Sequence, residues 1–146
     1  MILGIGTDII DIRRIKQVIN KYNHKFKKRC FIENEIKLCE SRYRTAESYA
    51  KRYAAKEACA KALGTGLAKG VFWKDIEINN NKNGKPFIIL HNKAKNILKS
   101  KNIKNLKIET SLSDEKDFAI ANVIIFKWKR EINFIAILNL FHLLYW

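Results

Sequence analysis

The chain has 146 residues, a length that fits one domain with its own core, and 47% of them are apolar with a single proline, which excludes a disordered or low-complexity protein. Lys and Arg number 29 against 14 Asp and Glu, a net charge of +15, so the partner is anionic: nucleic acid, a polyphosphate cofactor, an acidic protein or an anionic membrane surface. Cys30, Cys39 and Cys59 form no CxxC pair, and His24, His91 and His142 show no ligand spacing, which argues for reduced thiols in a cytoplasm and against a thiolate metal centre.

Met1 to Gly6 carries neither a basic n-region nor a cleavage pattern, so no signal peptide is expected. Ile2 to Ile10 predicts a strand. Leu3, Ile5, Thr7 and Ile9 form the expected core face. Ile2, Gly4, Gly6 and Asp8 form a nearly bare second face that leaves space beside a carboxylate. Gly4 and Gly6 lack the third glycine of a dinucleotide fingerprint and lie within the strand, so that reading is discarded. Asp8 is either a cap for the next helix or a functional carboxylate.

Asp11 to about Arg29 predicts an amphipathic helix with Ile12, Ile15, Val18 or Ile19, Tyr22 and Phe26 as its apolar stripe. Arg13, Arg14, Lys21, Lys25 and Lys28 lie on the basic remainder, which is either a solvated face or a dock for something acidic. No aromatic residues interleave on that polar side, which weighs against stacking of nucleic-acid bases. Phe31 to Glu40 predicts a short helix with Phe31, Ile36 and Leu38 inward, followed by a polar joint and by Thr45 as an N-cap.

Arg52-Tyr53-Ala54-Ala55-Lys56-Glu57-Ala58-Cys59-Ala60-Lys61-Ala62-Leu63 predicts a long, thin helix that ends at Gly64. Glu57 and Lys61 share a face four residues apart; from spacing alone they are either a surface salt pair or part of a site. Gly64-Thr65-Gly66 makes a turn whose backbone N–H groups are able to meet phosphate, or an ordinary helix end. Val71 to Ile78 and Phe87 to His91 predict a hairpin across the turn Asn79 to Pro86. A polar helix over Asn92 to Ser100 and strands over Leu106 to Leu112 and Phe118 to Phe126 complete the domain. The order predicts an α+β fold, an antiparallel sheet packed against a long central helix in one small domain over 1–127. The apolar tail, 128–146, is shorter than the ~20 residues of a membrane span. It is either a packing helix or an interfacial one.

Four segments carry a family resemblance: Gly4-Ile5-Gly6-Thr7-Asp8-Ile9, Arg52 to Gly66, Asn83-Gly84-Lys85-Pro86, and Ser111-Leu112-Ser113-Asp114 with Ala119-Ile120-Ala121. Together they resemble the bacterial holo-[acyl-carrier-protein] synthases, small homotrimeric 4'-phosphopantetheinyl transferases. Asp114 stands where many of these enzymes have His, and the tail has no counterpart among them. The resemblance implies transfer of the phosphopantetheine arm of coenzyme A to a serine of apo acyl carrier protein, for fatty acid biosynthesis, with active sites between the subunits of a homotrimer. It implies Mg²⁺ on Asp8 and Glu57, catalysis by Glu57, Lys61 and Asp8, and coenzyme A contacts from Arg44, Arg52, Lys61, Gly64, Thr65, Gly66, Gly84, Lys85 and Pro86. Arg13, Arg14, Lys21, Lys25 and Lys28 become the surface for the carrier's acidic helix. The alternative is a non-enzymatic basic module that binds nucleic acid, which leaves Asp8 and Glu57 unexplained.

Overall fold

The computed structural model describes residues 1–67 and 70–128, so the tail expectation for 132–146 lies outside the described residues. In chain order the elements are β1 (Ile2–Asp11), α1 (Ile12–Cys30), α2 (Glu33–Glu40), α3 (Thr45–Leu63), a 3₁₀ turn (Trp73–Asp75), β2 (Ile76–Asn80), β3 (Pro86–Leu90), α4 (Asn92–Ser100), β4 (Leu106–Glu115) and β5 (Phe118–Lys127). The expected α+β class and the long central helix are found. The strands divide into an antiparallel sheet of order β1-β5-β4 and a separate β2-β3 hairpin.

α3 is the axis on which both sheets rest. Its run of strong helix formers ends at Gly64, whose φ of 82° lies in the left-handed region that glycine enters without steric cost. The expected Thr45 cap is not formed. Arg44 is the N-cap residue, and the Thr45 hydroxyl donates to the Arg42 carbonyl at 2.8 Å.

The expectation for the faces of β1 is reversed. Ile5 and Ile9 are exposed, and the glycine face is the one that packs. A Cβ on Gly6 would stand 1.8 Å from the Ala58 carbonyl oxygen, and one on Gly4 would stand 2.0 Å from that of Ala62. The bare face is therefore filled by helix backbone. Two strand residues advance about 6.6 Å and four helical residues about 6 Å, so Gly4 and Gly6 meet Ala62 and Ala58 in step. Asp8, the next residue on that face, is carried one helical turn further toward the N-terminus of α3.

Three further expectations are corrected. The strand expected over Val71 to Ile78 begins only at Ile76, because the Asp75 carboxylate accepts from the Phe72 N–H at 3.1 Å and closes a 3₁₀ turn. α1 breaks at Asn23 (φ 29°, ψ −101°), and Tyr22 turns outward instead of joining the apolar stripe. Strand β4 runs to Glu115, so Ser113 and Asp114 sit in the sheet and not in the turn. The core has two parts. One joins α3 to β5, the hairpin and α4; the other joins the first half of α3 to α1 and α2.

Candidate functional site

The register between β1 and α3 brings Asp8 alongside the middle of the central helix, beside Tyr53 and Glu57. Lys61 donates to Asp8 Oδ1 at 2.8 Å and to the Thr7 carbonyl at 3.0 Å. Asp8 and Glu57 line one cavity of about 290 Å³, together with Arg14, Phe26 and Tyr53. Burial pushes the Glu57 carboxyl above the usual carboxylate range; the Asp8 charge adds to that, and Lys61 opposes it. Two carboxylates with charge that one lysine does not fully offset are oxygen donors of the kind Mg²⁺ takes, so these residues fit that ion. Among the described residues no group of three or more His, Cys, Asp or Glu side chains gathers, so waters and substrate oxygens would complete its shell.

A second cavity, of about 570 Å³, opens beside the first half of α3. Arg44, Arg52, Gly84 and Pro86 all line it. A chain of bonds explains why a helix and a hairpin loop meet there. Arg52 NH2 donates to Asn80 Oδ1 at 2.7 Å, and Asn80 Nδ2 donates to the Gly84 carbonyl at 2.7 Å. Arg52 is nearly fully buried, its NH1 donating to the Ser48 hydroxyl at 2.9 Å. Its Nε is buried with no partner among the described residues.

The other residues of the expected coenzyme A set stand apart. Lys85 lies outside this lining and pairs with Glu109 at 2.7 Å. Gly64, Thr65 and Gly66 line neither cavity. Their N–H groups donate to the helix carbonyls of Lys61 and Ala60 at 2.9–3.3 Å, so they cap the helix. On α1, Arg14 reaches the carboxylate cavity, whereas Arg13 is held by Asp11 at 2.7 Å and Asp117 at 3.3 Å. Lys21 lies over the Tyr22 ring, and Lys25 lines a small apolar recess after the break at Asn23. Lys28 is exposed.

Sequence reasoning missed Lys51, Tyr53 and Asn80 as site residues, and it noticed Asp114 only as a departure from a family pattern. Lys51 donates to Asp114 across 63 residues of chain, a pairing without a local signal. Tyr53 read as part of an alanine-rich helix; in the fold it stacks on Trp73 with ring centroids 4.1 Å apart and lines the carboxylate cavity.

A carboxylate pair with a lysine beside it, on a glycine strand and an alanine helix, supplies the donor types that a cation and a phosphate group each take. The chain belongs to the 4'-phosphopantetheinyl transferase superfamily, whose family model matches residues 4–123. It is 45% identical over 125 residues to the holo-[acyl-carrier-protein] synthase of Rhizobium rhizogenes, covering 86% of this chain and 93% of that one. The crystal structure of the holo-[acyl-carrier-protein] synthase of Neisseria meningitidis is similar at a TM-score of 0.77 and 35% identity, over 87% of this chain and 100% of that one. The Bacillus anthracis enzyme, solved in complex with coenzyme A (3',5'-ADP), is similar at a TM-score of 0.71 and 36% identity, over 88% of this chain and 99% of that one. No helix among the described residues is long and apolar enough to cross a membrane.

Proposed function

We propose that the protein is a holo-[acyl-carrier-protein] synthase, which transfers 4'-phosphopantetheine from coenzyme A to a serine of apo acyl carrier protein and releases adenosine 3',5'-bisphosphate. The observation that carries this reading is the convergence of Asp8 and Glu57 on one cavity with Lys61 bonded to Asp8. Asp8 and Glu57 would hold Mg²⁺, which when bound supplies positive charge against the diphosphate. Lys61, half exposed and already at the carboxylate pair, contacts the diphosphate and offsets charge on the leaving phosphate. The serine oxygen forms a bond to the phosphorus as the bridging phosphorus–oxygen bond breaks, and the serine proton goes to Glu57 or to a water beside it.

Arg44, Arg52, Gly84 and Pro86 take the nucleotide end of coenzyme A, with the arginines on its 3'-phosphate. Arg14, at the rim of the carboxylate cavity, meets the acidic helix of the carrier, and Lys21, Lys25 and Lys28 steer it. The two cavities lie at different levels of α3, which suits a homotrimer in which neighbouring subunits complete each site. The exposed Ile5, Ile9 and Ile124 on the open face of the β1-β5-β4 sheet supply an apolar surface for that contact. The transferase domain spans 1–127, and the enzyme serves fatty acid biosynthesis in the cytoplasm.

The test is mass spectrometry of apo acyl carrier protein incubated with the full chain, coenzyme A and Mg²⁺. The expected result is one phosphopantetheine adduct on the carrier serine, lost with EDTA and lost with Asp8→Ala. A carrier left unmodified, with salt-sensitive binding to DNA or RNA instead, would replace this reading by a nucleic-acid module.

A further inference from the structure

The second cavity carries a group to which the proposed transfer assigns no role. Asp114, on β4, is only 13% exposed and reaches Lys51 Nζ at 2.5 Å and Arg44 NH1 at 3.4 Å. Arg44 Nε is also 3.1 Å from Glu47. Two cations of the cavity are thus taken by carboxylates of the same chain. Arg52 differs: its partners are neutral groups of Ser48 and Asn80, and its buried Nε has none among the described residues.

A carboxylate oxygen on Lys51 occupies the place that a phosphate oxygen would take on the same ammonium. Asp114 sits on the edge strand β4, its backbone paired with Ala119 of β5, and its short side chain has little reach, whereas Lys51 and Arg44 are long, flexible and 30% and 57% exposed. An entering phosphate therefore gains these cations only as they swing away from Asp114. Hydrogen bonds are exchanged nearly one for one, and repulsion from the fixed carboxylate remains.

We propose that Asp114 is an internal competitor for the nucleotide 3'-phosphate. It holds Lys51 and Arg44 while the cavity is empty and takes them back to shorten the stay of the spent nucleotide. This rests on reading the cavity as the nucleotide site.

The test is calorimetric titration of the full chain and of Asp114→Asn with adenosine 3',5'-bisphosphate and with adenosine 5'-phosphate. Asp114→Asn should bind the bisphosphate about tenfold more tightly and shift the affinity for adenosine 5'-phosphate less than about twofold. In turnover, KM for coenzyme A and kcat should fall together as release slows. Asp114→Ser, which removes the charge with a smaller side chain, should repeat the gain and guards against a folding defect of the first variant. Unchanged or weaker bisphosphate binding in both variants overturns the proposal, and so does an equal gain for both nucleotides. If the wild-type chain itself binds neither nucleotide, the reading of the cavity fails and the proposal falls with it.

Discussion

Two lysine–carboxylate pairs leave the same helix five residues apart and have the same length. Lys56 Nζ lies 2.8 Å from Glu35 Oε2, with both side chains fully buried; Lys61 Nζ lies 2.8 Å from Asp8 Oδ1, with side chains 49% and 17% exposed. Lys56 spends its three donors on Glu35 and on the carbonyls of Trp73 and Ile76. Glu35 in turn accepts from the N–H groups of Ile32 and Ile78, both at 3.0 Å. That network ties α2, α3, the 3₁₀ turn and β2 together and leaves no valence open. Burial pulls the Lys56 ammonium below its usual pKa, and the Glu35 charge opposes that shift. Lys61 is half exposed and bonds only Asp8 and the Thr7 carbonyl, so water can replace those partners at little cost. Charge type and distance are the same in the two pairs, and desolvation with the surrounding hydrogen bonds makes one a strut and leaves the other open to a ligand.

The contrast breaks most visibly at Lys56. Lys56→Met leaves Glu35 charged and unpaired in the core, and we expect a loss of about 3–5 kcal/mol in urea denaturation. Adding Glu35→Gln, which removes the buried charge and keeps one of the two acceptor oxygens used by Ile32 and Ile78, should recover part of that loss. A cost below about 1 kcal/mol for Lys56→Met would mean that the pair is not the strut described.

Lys61→Ala sharpens the other side of the comparison. It should lower kcat for carrier modification by about 10²-fold or more, while unfolding free energy changes by less than about 1 kcal/mol. Loss of both activity and fold would erase the distinction between the pairs.

The smallest effect is on stability at Glu57. Its folded pKa lies above its unfolded one, so ionising it opposes folding: stability is fullest below the unfolded pKa and declines as pH rises through the folded one. Glu57→Gln should therefore have a higher Tm than wild type at neutral pH, converge with it at acid pH, and be inactive. A lower Tm at neutral pH would contradict the electrostatic cost assigned to this site.

Much of this was legible in the sequence because it is encoded locally. The alanine-rich run, its end at Gly64, the Asn79 to Pro86 turn and the polar helix at Asn92 depend on residues a few positions apart. Asp8, Glu57 and Lys61 stood out because glycines and alanines around charged groups imply close approach. The faces of β1 were misread for a specific reason. A missing side chain marks either an empty space or a neighbour's backbone, and periodicity cannot tell these apart.

By itself, then, the sequence determined the elements, the thin helix and the family to which the chain belongs, since these rest on short-range propensity and on motifs. Only the tertiary structure decided which lysine is buried and which is exposed, that Lys51 meets Asp114, and that Gly64, Thr65 and Gly66 spend their N–H groups on the helix itself. Those outcomes depend on what another part of the chain brings alongside, and desolvation and pairing are properties of that neighbour as much as of the residue.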